Sequence, residues 1–309
     1  MKDLIEVAKS ILINNLNVNS SEQVLVVTDS NLIDIAEIFY VAGLKLGNET
    51  VLMKMKVRSK PGEEPSVVVS NAMKTADVVL AITEHSLTHT NARKQASIAS
   101  SRIATMPGIT WDMLQNGAIT ADYQDVTKRT NKYCQYLDNG ETIKILKENT
   151  SLTFSIKGRK SIPSTGMFKN KGESGNLPSG ESYIAPLEES ANGTIKIDGA
   201  IAGIGVLTEP TILTLENGRL VNATGAAGKQ LLDILGDGNG RIIAEFGIGT
   251  NKKARLTGNI LEDEKVFGTV HIAFGSNKSF GGIVEAGVHI DCIIKDPVVF
   301  IDEVKLLLQ

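Results

Sequence analysis

Apolar and polar positions follow two different rhythms along this chain, and one gives way to the other near residue 140. Before that point, short valine- and leucine-rich runs take turns with stretches whose apolar residues recur at helical spacing. QVLVVTD (23–29), TVLMKM (50–55), DVVLAIT (77–83) and RIATM (102–106) predict strands. NLIDIAEIFYVAGLKLG (31–47), a stretch from about Pro65 to Lys74 and another near 90–100 predict helices between them. Strands that are continuously apolar and alternate with helices predict a parallel sheet covered on both faces. MKDLIEVAKSILINNL at the start is an amphipathic helix pattern, and YQDVTKRTNKYCQYL (123–137) is a further helix that closes this region.

Beyond it glycines become frequent and short strands separated by turns take over: LTFSIKG (152–158), GTIKIDGAI (193–201), TILTLENGRLV (211–221) and RIIAEFGIG (241–249). Within the third of these, Asn217-Gly218 predicts a tight hairpin turn, because Asn-Gly readily takes positive φ at both central positions. Only AGKQLLDIL (227–235) and the tail DEVKLLLQ predict helix here. The fold class expected is therefore α/β: a parallel-sheet, Rossmann-like domain over residues 1–140, then a β-rich (α+β) domain over 141–309.

Composition narrows the function classes. A chain of 309 residues suits two domains better than one core. Net charge is −3 with no basic stripe, so nucleic acid is not an expected partner. No apolar run reaches the roughly 18 residues of a membrane span, and Asp3 and Glu6 stand where a signal peptide would be basic and then apolar. Cys134 and Cys292 form no paired ligand motif, so reduced thiols and a cytoplasmic location are expected. A homodimer is the default assembly for a soluble enzyme.

The candidate chemistry is concentrated late in the chain. In GTVHIAFG (268–275) a period of two puts His271 with Ala273 on one face and Val270, Ile272 and Phe274 on the other. In VHIDCII the same rule groups His289 with Asp291, against Val288, Ile290, Cys292 and Ile294. An imidazole nitrogen and a carboxylate pointing the same way suit a divalent ion; read blandly, they are hydrogen-bonded sheet residues. Glu245 sits in the apolar run IIAEFGIG, where a charge is expensive to bury unless paired or metal-bound. Glu181 follows a Pro-Ser-Gly turn and opens an apolar stretch. The run LEDEK (261–265) predicts a solvated turn. GIGTNKKAR lacks Gly-Lys-Ser/Thr and TDSNLID lacks Gly-x-Gly-x-x-Gly, so neither a phosphate loop nor a dinucleotide site is expected. His85, His89 and Arg93 in TEHSLTHTNAR follow the third strand, at the carboxyl end where open α/β sheets place ligands, and are candidates for substrate contact. The ligand face of the late strands is expected to line a cleft, with these three residues on its opposite wall.

Four motifs, NLPSGESYIAP, AEFGIGTN, EDEKVFGTVHIAFG and EAGVHID, together resemble the aminopeptidase T family of metalloaminopeptidases in order and approximate spacing. SLTHTNARKQASIASSRIATMPGIT also looks like the first domain of the wider superfamily. The resemblance implies a leucyl aminopeptidase-like enzyme acting on short peptides. Two divalent ions (zinc, cobalt or manganese) would be held by Glu181, Glu245, His271, His289 and Asp291, and Glu264 or Glu181 would move the proton to the leaving amine. The family's tyrosine shortly after the first histidine is missing, the neighbourhood here being GSNKSFGG with Phe280, and its acidic residue about five places before that histidine is replaced by Val266. The same superfamily includes ring-cleaving dioxygenases of dihydroxypyridines, which implies an alternative: one iron on His271, His289 and Asp291, acting on a small aromatic ring. A third reading is a non-catalytic member that merely keeps the pattern.

Overall fold

A computed structural model of the chain describes residues 4–308, which fold into two compact units. The first runs to Tyr123 and takes in Gly166–Ser179 as well; the second comprises Gln124–Thr165 and the chain from Gly180 onward.

In the first unit, strands β1 (Gln23–Asp29), β2 (Glu49–Met55), β3 (Val78–Ile82), β4 (Arg102–Thr105) and β5 (Ser174–Asn176) make one parallel sheet in the order β2-β1-β3-β4-β5. The helices Ile33–Lys45, Val67–Thr75 and Asn91–Ile98 lie between successive strands, as the alternating rhythm predicts. Two of them start on side-chain caps: the Ser66 hydroxyl accepts from the Val69 amide at 3.4 Å and the Thr90 hydroxyl from the Arg93 amide at 3.2 Å. Val79 and Ala81 of β3 pack with Leu25, Val27 and Ile103 of the flanking strands against Met73 and Ala96 of the helices, and every residue of β3 is buried. That two-sided burial is why these strands read as unbroken apolar runs.

The second unit is a sandwich of two seven-stranded sheets. One contains β6 (Glu181–Ile184), β7 (Ile243–Gly249), β8 (Val270–Gly275) and β9 (His289–Ile294), in the order Gly205–Val206, Ala200–Ile201, β9, β8, β7, β6, Ile162–Ser164. The other runs Arg219–Ala223, Thr211–Glu216, Asn192–Ile197, Thr150–Ser155, Thr142–Lys147, Val298–Ile301, Val304–Leu306. Between them lies one apolar core that joins Phe154, Ile195 and Leu213 of the second sheet to Phe246, Ile272, Phe274 and Cys292 of the first. The rings of Phe154 and Phe246 meet at 5.6 Å across it.

The Asn-Gly hairpin forms as expected, with Asn217 at φ 47° and Gly218 at φ 77°. Gly218 is required for space too, since a Cβ there would stand 1.5 Å from the Glu188 carbonyl oxygen. Three other readings of the chain are corrected. The tail is not helical: Val304–Leu306 pairs back on Val298–Ile301 through a two-residue turn at Asp302 and Glu303, φ 47° and 68°. Its apolar residues then serve alternation, with Leu306 and Leu308 buried and Leu307 exposed. The helix Tyr123–Asn139 does not close the first region, because Tyr133 and Leu137 belong to the core of the sandwich. The chain also crosses between the units more than once, where its texture suggested a single border near residue 140.

Candidate metal centre

Directly opposed residues of an antiparallel pair project to the same face, so the register of β6 to β9 fixes which side chains meet. Glu181 stands opposite Gly249, His271 opposite Gly247, Glu245 opposite Ala273, Ala273 opposite Asp291, and His289 opposite Gly275. Glu181, Glu245, His271, His289 and Asp291 therefore share one face, while Ile184, Phe246, Ile248, Val270, Ile272, Phe274, Cys292 and Ile294 turn into the core. One irregularity makes this possible. Ile243 is opposite Phe274 but Glu245 is opposite Ala273, so the pairing slips by one between them. That bulge sends Ile243 into the core and Glu245, two residues later, to the other face.

The five groups converge closely. The Glu245 carboxylate lies between two imidazoles, Oε1 3.3 Å from His271 Nε2 and Oε2 3.4 Å from His289 Nε2. His271 Nε2 is 3.5 Å from Glu181 Oε2, and His289 Nε2 is 3.4 Å from Asp291 Oδ1. Small neighbours leave the room for this. Ala273 puts only a methyl group between Glu245 and Asp291, and a Cβ on Gly247 would stand 2.1 Å from His271 Nε2. His271 is fully buried and the three carboxylates nearly so, whereas the His289 side chain is 30% exposed and is the edge of the site open to solvent. Beside it stands Phe280, ring to ring at 5.8 Å, and Tyr183 packs on Phe280 at 5.5 Å, both edge-on.

Charge shapes the site. Burial pushes Glu245 up, but the hydrogen bonds and charges of His271 and His289 outweigh it and hold its carboxyl down at about 2. Burial pulls His271 down, yet the Glu245 hydrogen bond and the charges of Glu181, Glu245 and Asp291 raise it to about 9. His289 is likewise raised, against burial, by Asp291 and Glu245. Such raised imidazoles mark a strongly negative enclosure that favours cations.

LEDEK is not the solvated turn its composition suggests. Ile260–Asp263 is a short helix, Glu262 and Asp263 are buried, and so is Lys265. The Lys265 ammonium is 2.7 Å from Glu181 Oε1 and also bonds Glu264, and these two carboxylates hold its pKa up despite burial. Glu264 thereby stands beside the same cluster. Burial pushes it up to about 8, Lys265 opposing and Glu181 and Asp291 adding. Nothing in a five-residue charge run distinguishes this from a surface loop, because the burial of Lys265 depends on Glu181, a partner distant in sequence.

The donor set fits divalent metal. Among the described residues, two groups of three have ligand atoms all within 4.8 Å of one another: Glu181, Glu245 and His271, and Glu245, His289 and Asp291. Around a tetrahedral ion with bonds of about 2.1 Å, ligand atoms lie about 3.4 Å apart, which is the spacing of the four contacts above. The Ser276 carbonyl accepts from His289 Nδ1 at 2.9 Å, so when the imidazolium gives up a proton the lone pair falls on Nε2, which is turned toward Glu245 and Asp291. Glu181 Oε2 and Asp291 Oδ1 are buried oxygens with no hydrogen-bond donor, the condition a bound cation relieves. His271, His289 and Asp291 do not form a third such group among the described residues. His85, His89 and Arg93 belong to the first unit, in the loop after β3 and at the start of the helix Asn91–Ile98. There the Arg93 guanidinium bonds the Thr88 carbonyl at 2.6 Å and the Ser174 hydroxyl at 3.1 Å.

The model of the thermophilic metalloprotease (M29) family matches residues 109–296. Several solved chains share the fold, among them the two that follow. 2,5-dihydroxypyridine dioxygenase from Pseudomonas putida KT2440 is 16% identical with a TM-score of 0.84, covering 98% of this chain and 95% of its own. AmpT from Thermus thermophilus is 17% identical with a TM-score of 0.73, covering 98% and 97%. No curated protein matches the chain. No helix among the described residues is long and apolar enough to cross a membrane.

Proposed function

Because this chain belongs to the thermophilic metalloprotease (M29) family, we propose that it is an aminopeptidase with two divalent ions, zinc, cobalt or manganese, at the centre just described. The observation that carries the reading is the pair of ligand groups sharing Glu245, whose two oxygens face different histidines. Glu181, Glu245 and His271 would hold one ion and Glu245, His289 and Asp291 the other. When bound, two such ions polarise a scissile carbonyl and lower the pKa of water at the site.

The chain's own residues supply the rest. Glu264, held beside Glu181 by Lys265, can in its ionised form accept a proton from attacking water and return it to the leaving amine. Substrate enters at the His289 edge, where Phe280 and Tyr183 form an aromatic wall. A wall of that kind favours an apolar first side chain, such as leucine, over a charged one.

Protein stripped of metal and reloaded with zinc, cobalt or manganese should release leucine from a chromogenic amide, with two ions bound per chain. Absence of turnover with all three ions in folded protein sinks the proposal. The likeness to the dioxygenase fold supports a second reading, one iron acting on a small aromatic ring. One iron per chain and ring cleavage in air, without peptide hydrolysis, would favour it.

A further inference from the structure

Resting on the two-ion reading above, we propose that Lys265 makes the two ion positions unequal. The one bounded by Glu245, His289 and Asp291 fills first, and the one bounded by Glu181, Glu245 and His271 is weaker and exchanges. Among the described residues Glu181 is the one ligand group that pairs with a lysine or arginine, a charge that metal binding does not remove: its Oε1 is 2.7 Å from the Lys265 ammonium. Among the described residues no lysine or arginine pairs with Glu245 or Asp291. An ion held by Glu181 therefore shares that carboxylate with a fixed positive charge and is repelled by it, at short range and away from solvent screening.

Lys265 is not free to withdraw. Its amide donates to the Glu262 carbonyl at 3.0 Å and its carbonyl accepts from the Asn251 amide at 2.9 Å, so the backbone is held. The side chain is buried between Glu181 and Glu264, with no solvent to retreat to. At the other position the geometry is the reverse. His289 is fixed in its ligand tautomer by the Ser276 carbonyl, and Asp291 and Glu245 keep their charges for the ion. Activity that needs both ions would then follow the supply of the second, weaker one.

Calorimetric titration of metal-stripped protein with Zn²⁺ alone, and separately with Mn²⁺ alone, tests this. Two steps are expected, the first tighter by about tenfold or more. Lys265→Met keeps the length of the side chain and removes its charge. It should strengthen the second step by about tenfold and leave the first within about twofold. Should that variant not fold, Glu181→Gln should weaken only the second step, and His289→Ala only the first. Crystals grown with one equivalent of Zn²⁺ should show anomalous density between Glu245, His289 and Asp291. Two indistinguishable steps, a first ion beside His271, or an unchanged second step in folded Lys265→Met would overturn the proposal while leaving the two-ion enzyme standing. A single ion at every concentration would sink both.

Discussion

Gly247 lies under the imidazole of His271, so close that a Cβ on it would stand 2.1 Å from Nε2 and 2.2 Å from Cε1. The two residues are directly opposed across β7 and β8, and the missing side chain is what lets the ring lie flat toward Glu245 and Glu181. Gly247→Ala should therefore displace the ring without introducing any new charge. Metal affinity at that side is expected to fall by roughly 10–100-fold, the range seen when a ligand's orientation is disturbed. Calorimetric titration would read the loss; unchanged binding would mean that His271 is not a ligand.

His271→Ala should remove at least one ion per chain and lower kcat/KM by more than about 100-fold, beyond what loss of an outer-shell partner gives. The fold should survive, because His271 lies on the site face of the sheet and not among the core side chains of the sandwich. Elemental analysis and circular dichroism on the same sample separate the two effects.

Glu264→Gln should leave metal content unchanged and reduce kcat by roughly 10²–10⁴-fold, the usual worth of a positioned proton carrier. A variant that keeps full kcat would remove Glu264 from the reaction.

The raised histidine gives a pH dependence of known sign. In metal-free protein His271 has a pKa of about 9 against an ordinary 6.5. Its protonated form therefore stabilises the fold fully below pH 6.5, and this contribution is lost as pH rises through 9. The melting temperature of the metal-free protein should fall over that window. Metal must displace the same proton, so ion binding should release protons below pH 9 and tighten as pH rises toward it. Melting curves and proton release measured by calorimetry in buffers of different ionisation enthalpy check both.

Phe280→Ala should widen the aromatic wall beside His289. The preference for leucine over arginine amides is expected to shrink by roughly tenfold, in the range that apolar pocket contacts contribute. An unaltered preference would place the first side chain elsewhere.

What the sequence determined by itself is what nearest neighbours along the chain decide. The period of two in GTVHIAFG and VHID already separated His271 from Ile272 and grouped His289 with Asp291, because alternation is a property of a single strand. The parallel sheet was legible for the same reason, its strands being apolar on both faces. Tertiary structure decided everything that depends on partners distant in sequence. Glu181 and Glu245 join the histidines through strand pairing, and a bulge that no local pattern announces sets the face of Glu245. Lys265 is buried only because Glu181 and Glu264 neutralise it, so a run that reads as solvated becomes part of the site. The tail reads as helix and becomes an edge strand because Val298–Ile301 offers it a ladder and the core takes Leu306 and Leu308. Local propensity is worth tenths of a kcal/mol per residue, and burial of a leucine side chain about 2 kcal/mol, so where the two conflict packing wins.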